Sequence, residues 1–360
     1  MSRTDCKADN MLHGGEIYAL GEIRQDFSVN INPFGVPEEV LQAIRAGLTN
    51  VKRYPDRACT VLREALSIRL GLPGENILFG NGASELIMLL VLALRPNKAL
   101  LPVPSFSGYE HALRGAGVPI DYFMLTKTSG FRPDRGFLEA LVHLNAGDMI
   151  FLCSPANPVG NTLSKAFLME LSEECRSRRI WLILDECFIG FLSDEDNRTM
   201  RQEALGNPYL FVLDAFTKRY ACPGLRLGYL MGDAGKLEEI SRLQPEWSVS
   251  ALAQIAGTAA LHTPMSYLED ARLLITTERE YLTKSLTGLG FIVYPGEANY
   301  MLFEATDAIK AEIFSALLNK GFLIRHCANY KGLDERFYRI AIKKHEENLQ
   351  LITALQEILH

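Results

Sequence analysis

Residues 210–231 read Leu-Phe-Val-Leu-Asp-Ala-Phe-Thr-Lys-Arg-Tyr-Ala-Cys-Pro-Gly-Leu-Arg-Leu-Gly-Tyr-Leu-Met. An apolar run, Leu210–Leu213, is followed after one short turn by Lys218, then by a Pro-Gly turn and a second apolar run, Leu225–Met231, that carries Arg226. Upstream, the same texture repeats. Short apolar runs at Ile77–Phe79, Ala99–Val103, Ile120–Leu125, Met149–Cys153 and Trp181–Leu184 predict strands, and helical patterns at Ser84–Leu94, Tyr109–Ala116 and Ser164–Arg178 lie between several of them. Alternation of this kind predicts an α/β fold with a mainly parallel sheet covered on both faces by helices.

Beyond Trp247 the pattern changes. Helices are expected at Ser250–His262, from Met265 to about Leu286, at Asp307–Leu318 and at His345–Leu359, with strands at Phe291–Tyr294, Asn299–Phe303, Leu323–Arg325 and Tyr338–Ile342. That is an α+β unit. The division is drawn as a large domain over 46–265 and a smaller domain formed by 1–45 and 266–360.

Composition narrows the function. A chain of 360 residues, 48% hydrophobic and 22% charged, fits a soluble two-domain protein. The net charge is -6 without a long basic block, which argues against nucleic acid as a partner. Seven scattered cysteines with no Cys-x-x-Cys pair give no support for a disulfide framework or a metal site. Met1–Leu12 lacks an apolar core for a secretory signal, and Leu86–Leu94 is too short to span a bilayer, so a cytoplasmic, membrane-free protein is expected.

Three polar residues stand where strand-like runs end: Asn157, Asp185 and Lys218. Ligands of open α/β sheets bind beyond the carboxyl ends of strands, so these side chains can converge on one crevice. A lysine amine forms a Schiff base with an aldehyde. A carboxylate such as Asp185 holds a pyridine nitrogen protonated, and Asn157 can donate to a phenolate oxygen. Gly82, Ala83 and Ser84 begin a helix after a strand, so amide donors there can meet a phosphate, joined by Arg226 and the Thr217 hydroxyl. Tyr109 follows Pro104–Gly108 and is placed to stack on an aromatic ring; ordinary packing is about as good a reading of it. Taken singly, Lys218 reads as a surface lysine and the glycine turn as a plain connection; their order along the chain favours a site for a phosphorylated pyridine.

These segments, with His13-Gly14-Gly15, Asn30-Ile31-Asn32-Pro33, Arg53-Tyr54-Pro55-Asp56 and Asn157-Pro158, resemble the fold-type I pyridoxal-phosphate (PLP) enzymes of the aminotransferase class I/II superfamily, nearest the histidinol-phosphate aminotransferase branch. Glu246–Val249, Tyr294–Tyr300 and Leu323–Asp334 resemble more narrowly the threonine-phosphate decarboxylases of the cobalamin pathway. The resemblance implies PLP on Lys218, the substrate carboxylate on Arg339, and the substrate phosphate on Arg325 with His13, Gly14, Asn157 and Asn32 nearby. It implies a small phosphorylated amino acid as substrate. It also implies a homodimer with shared active sites, in which Tyr54 reaches the partner's cofactor phosphate. Without it, His13 reads as a tail residue and Arg325 as a strand-edge charge. The chain departs from the aminotransferase pattern twice: Ala215 stands where a phosphate-binding serine is common, and Phe188 where transaminating relatives place a tyrosine. An aminotransferase acting on histidinol phosphate and a decarboxylase of serine phosphate are the alternatives.

Overall fold

A computed structural model describes residues 14, 15, 17, 18, 20, 22–309 and 312–359. The large sheet has seven strands in the spatial order Ile77–Asn81, Leu227–Met231, Leu210–Ala215, Trp181–Asp185, Met149–Cys153, Ala99–Val103 and Ile120–Met124. Six run the same way; Leu227–Met231 is antiparallel to both its neighbours. The inner strands are buried along their whole length apart from the half-buried Trp181, as expected of a sheet with helices on both faces. Ile120–Met124, at the edge, is only partly covered.

The helix Gly82–Leu94 explains the most apolar stretch of the chain: Leu86, Ile87, Leu89, Leu90 and Val91 are buried against the sheet. Among the described residues no helix is long and apolar enough to cross a membrane. The helix Lys165–Arg178 begins where Ser164 caps it, its hydroxyl accepting from the Phe167 amide at 3.2 Å.

A second, four-stranded antiparallel sheet runs Arg325–His326, Phe337–Ala341, Tyr300–Ala305 and Phe291–Val293. Here the sequence expectation needs correcting. The strand expected over Leu323–Arg325 is two pieces: Phe322–Leu323 pairs in parallel with Gln25–Asp26, while Arg325–His326 joins Phe337–Ala341. Ile324 is the joint between two sheets, and a single apolar run cannot reveal such a change of partner. The helix expected over Asp307–Leu318 is Ile313–Asn319. The strand expected from Leu225 starts at Leu227, because Pro223–Leu225 forms a short turn and Arg226 is left-handed at φ 53°. The domain boundaries drawn at 45/46 and 265/266 fall within the helices Glu38–Gly47 and Met265–Gly288.

Candidate active site

The parallel strands share one carboxyl end, and there the chain makes a cavity of about 270 Å³. Asp185 closes the strand Trp181–Asp185, and Asn157 follows Met149–Cys153. Lys218 lies on the short helix Phe216–Arg219 that follows Leu210–Ala215. All three line the cavity, together with Ala83, Ser84, Tyr109, Thr217, Arg226, Gly14 and Arg339. The reversed strand Leu227–Met231 brings Arg226 to the same end, since its beginning lies where its neighbours finish.

The Gly82–Ala83 turn is built for close approach. A β-carbon on Gly82 would lie 2.4 Å from Nη2 of Arg226, and Gly82 has φ +74°. A β-carbon on Gly228 would lie 2.7 Å from the Ala83 nitrogen. Side chains at either position would push Arg226 and the start of the helix apart. Arg226 donates to the Pro223 carbonyl at 3.3 Å and to Ser84 Oγ at 3.5 Å, leaving an exposed guanidinium at a helix N-terminus. This is a cradle for a phosphate.

At the other end of the cavity Asp185 is buried. Its Oδ1 accepts from the Cys187 amide at 3.0 Å and its Oδ2 from the Tyr109 hydroxyl at 2.6 Å. Burial pushes the Tyr109 hydroxyl well above its ordinary pKa, which keeps it protonated as the donor. The Tyr109 ring lies parallel to Phe151, with centroids 4.9 Å apart.

Lys218 holds the centre. Burial first, then the positive charges of Arg339 and Arg226, push its amine down to about 8. Among the described residues it makes no ion pair with a carboxylate. Its Nζ lies 5.6 Å from the centroid of Phe188, which also lines the cavity and meets Tyr300 edge-on.

Arg339 enters from the second sheet. Its Nη1 donates to Asn157 Oδ1 and its Nη2 to the Ser28 carbonyl at 2.8 Å. Its Nε is buried with no partner among the described residues. With Oδ1 of Asn157 held by Arg339, the amide nitrogen is the group Asn157 can turn to a ligand.

Three expected site residues stand elsewhere. Asn32 is buried outside the cavity, with its amide nitrogen on the Arg219 carbonyl at 3.1 Å and its Oδ1 accepting from the Phe34 amide at 3.0 Å. Asn30 lines the cavity instead, 3% exposed, and its buried Oδ1 has no partner among the described residues. The Asn30–Asn32 turn of the Asn-Ile-Asn-Pro motif thus brings Asn30 to the cavity, while Asn32 folds back on Phe34. Arg325 is buried beside the cavity without lining it. Its Nη1 donates to the His326 carbonyl and its Nη2 to Asn329 Oδ1, both at 2.7 Å. Tyr54 is 79% exposed and stacks on Trp247 with centroids 4.5 Å apart, on an outer face of the chain. His13 lies outside the described residues.

The donor set fits PLP: an amine of lowered pKa for the aldehyde, a buried carboxylate for the ring nitrogen, and a glycine-shaped arginine cradle for the phosphate. Among the described residues no group of three His, Cys, Asp or Glu side chains could hold a metal ion.

The comparisons agree with this chemistry. The chain is 36% identical over 359 residues to a threonine-phosphate decarboxylase of Salmonella typhimurium, covering 97% of each. It superposes on the histidinol-phosphate aminotransferase of Clostridium acetobutylicum with a TM-score of 0.85 and 29% identity, covering 93% of this chain and 99% of that one. A histidinol-phosphate aminotransferase of Sinorhizobium meliloti, solved in complex with PLP, shares the fold at a TM-score of 0.84 and 23% identity, over 94% and 91% of the two chains. The model of the aminotransferase class I and II family matches residues 23–355. The chain therefore belongs to the aminotransferase class I and II family, whose fold binds PLP.

Proposed function

We propose that this PLP-dependent enzyme decarboxylates L-threonine O-3-phosphate to aminopropanol phosphate, as a step toward cobalamin. The observation that carries the reading is Phe188. It faces the cavity beside Lys218 and offers no hydroxyl where transaminating relatives are expected to carry a tyrosine. The near full-length likeness to the Salmonella decarboxylase supports it.

With PLP bound, Lys218 would hold its aldehyde and Asp185 would keep the ring nitrogen protonated. Tyr109 would stack on the ring, and Asn157 would donate to its phenolate oxygen. Gly82, Ala83, Ser84, Thr217 and Arg226 would take the phosphate. When bound, the cofactor supplies an electron sink for bond cleavage at the substrate Cα. Arg339 holds the substrate carboxylate, and Arg325, with His13, Gly14 and Asn30, serves the substrate phosphate. Fixing both anionic ends sets the rotation about the Cα–N bond and so selects the carboxylate bond for cleavage. Lys218 Nζ, with its pKa lowered to about 8, would donate to Cα the one proton, drawn from solvent, that replaces the departing CO₂.

A homodimer is part of this proposal. Tyr54 and Val61 line one groove, and nearby in sequence Leu48, Val51 and Ile68 are exposed as well. Exposed apolar side chains of this kind suit a second copy. Tyr54→Phe is expected to weaken cofactor retention, and mixing Tyr54 and Lys218 variants should restore activity in hybrid dimers if sites are shared.

The aminotransferase reading is favoured by the TM-score of 0.85 to the Clostridium enzyme. Product analysis decides between them. Purified enzyme is given L-threonine O-phosphate, L-serine O-phosphate and histidinol phosphate, with 2-oxoglutarate present. Release of CO₂ from the first, with little glutamate formed, is the expected result. Glutamate formation without CO₂ makes the protein an aminotransferase, and a preference for the serine compound changes the substrate by one methyl group.

A further inference from the structure

We infer that Tyr330 is a specificity-determining residue: its hydroxyl donates to the substrate phosphate, and Arg325 serves that phosphate through Tyr330 without touching it. The inference rests on the phosphorylated substrate proposed above. It starts from register. Arg325 and Arg339 are Cα partners on adjacent antiparallel strands, so their side chains leave the same face of the sheet. Arg339 reaches the cavity and Arg325 does not line it. The residue between them is Tyr330.

Tyr330 is 8% exposed and lines the cavity. The Arg325 guanidinium carbon lies 5.3 Å from its ring centroid, a cation–π contact on one face. Its hydroxyl oxygen accepts from Arg339 Nη1 at 3.5 Å, and the hydroxyl proton has no acceptor among the described residues. A buried donor left open toward a cavity calls for an acceptor. Two guanidinium groups flank that donor, which suits a phosphate dianion better than a single carboxylate.

The loop that carries Tyr330 is fastened to the large sheet. Lys331 Nζ stands 4.2 Å from the Tyr122 ring centroid on the edge strand. A β-carbon on Gly332, at φ +91°, would lie 3.2 Å from Met124 Cε. Within the loop the Tyr330 amide donates to the Cys327 carbonyl at 3.0 Å. Tyr330 is thus held by the edge strand on one side and by Arg325 on the other.

The test is calorimetric binding to the PLP-loaded enzyme, using L-threonine O-phosphate, aminopropanol O-phosphate and L-threonine. Tyr330→Phe keeps the ring under Arg325 and removes only the hydroxyl. It is expected to raise Kd for both phosphorylated ligands about tenfold and to change that for L-threonine by less than about twofold. Arg325→Met should weaken the phosphorylated ligands in the native background and change little in the Tyr330→Phe background, because its effect passes through the tyrosine. Unchanged binding of the phosphorylated ligands to Tyr330→Phe, or equal loss for L-threonine, overturns the role of the hydroxyl. An Arg325→Met cost that is the same in both backgrounds overturns the relay and makes Arg325 a direct contact. The cofactor absorbance and thermal midpoint of each variant verify folding. If Arg325→Met does not fold, the Tyr330→Phe comparison alone decides the inference. Should the enzyme release no CO₂ from any phosphoamino acid, the proposed reaction fails, whereas the binding comparison needs no turnover and still decides Tyr330.

Discussion

Lys218 faces the cavity with no carboxylate partner among the described residues, whereas Arg219, the next residue, points away from it into a second cavity of about 360 Å³ behind the strand end. There Glu195 takes Arg219 through both oxygens, at 2.7 and 3.0 Å, and Asp214 adds a third contact at 3.3 Å. Arg272 joins Glu195 at 2.9 Å, and the Tyr229 hydroxyl donates to Asp214 at 2.6 Å. Burial opposes the charge on Arg219, but Glu195 and Asp214 outweigh it and hold its pKa well above the ordinary value. The Lys218 amine is displaced the other way, down to about 8. Two adjacent cations on one short helix therefore differ in purpose. In the proposed site the first is isolated so that its amine can react, and the second is paired, which holds the helix in place.

That contrast predicts opposite mutational signatures. Lys218→Ala should lower turnover to the detection limit and leave the denaturation midpoint within about 0.5 kcal/mol of the native value, since it breaks no ion pair. Arg219→Met should do the reverse at the level of stability, costing about 3 kcal/mol in urea unfolding, because the buried Glu195 and Asp214 lose the cation they share, while Arg272 and the Tyr229 hydroxyl remain. A loss of stability from the first, or none from the second, would erase the distinction between the two regions.

Lys218, Asp185 and Asn157 could be placed at the cavity from sequence because each follows an apolar run, and Arg226 because it stands at the start of one; strand ends are local features. Arg219 had no role legible in the sequence, since side-chain direction on a four-residue helix depends on what packs around it. The same limit applied to Asn30 and Asn32, where a turn onto Phe34 removed the second asparagine from the cavity. Arg325 depended on a strand pairing with Phe337–Ala341 that no local pattern carries. Tyr330 lay in a segment recognised as distinctive, but nothing in its immediate sequence assigned it a role.

Smaller effects sharpen the comparison further. Condensation with an aldehyde needs the neutral amine, so the rate at which cofactor-free protein takes up PLP should rise with pH and level off above about 8. An ordinary lysine would keep rising toward about 10.4. Stopped-flow absorbance across pH 6–10, on the order of two units either side of the midpoint, checks this. The smallest effect expected is from Phe188→Tyr. A hydroxyl near Lys218 should lower the apparent pKa of the cofactor-bound enzyme and permit slow amino transfer, with CO₂ release still dominant. Loss of CO₂ release in this variant would transfer the choice of reaction from the arginines to position 188.

The account depends most on Lys218 being the one reactive cation of the pair. Borohydride reduction of the yellow PLP-loaded protein, followed by peptide mapping, tests it directly. A pyridoxyl label on the peptide containing Lys218, with both that label and the yellow colour greatly diminished in Lys218→Ala, is the predicted result. A label on any other lysine, or an undiminished label in Lys218→Ala, would contradict the assignment of this cavity as the active site.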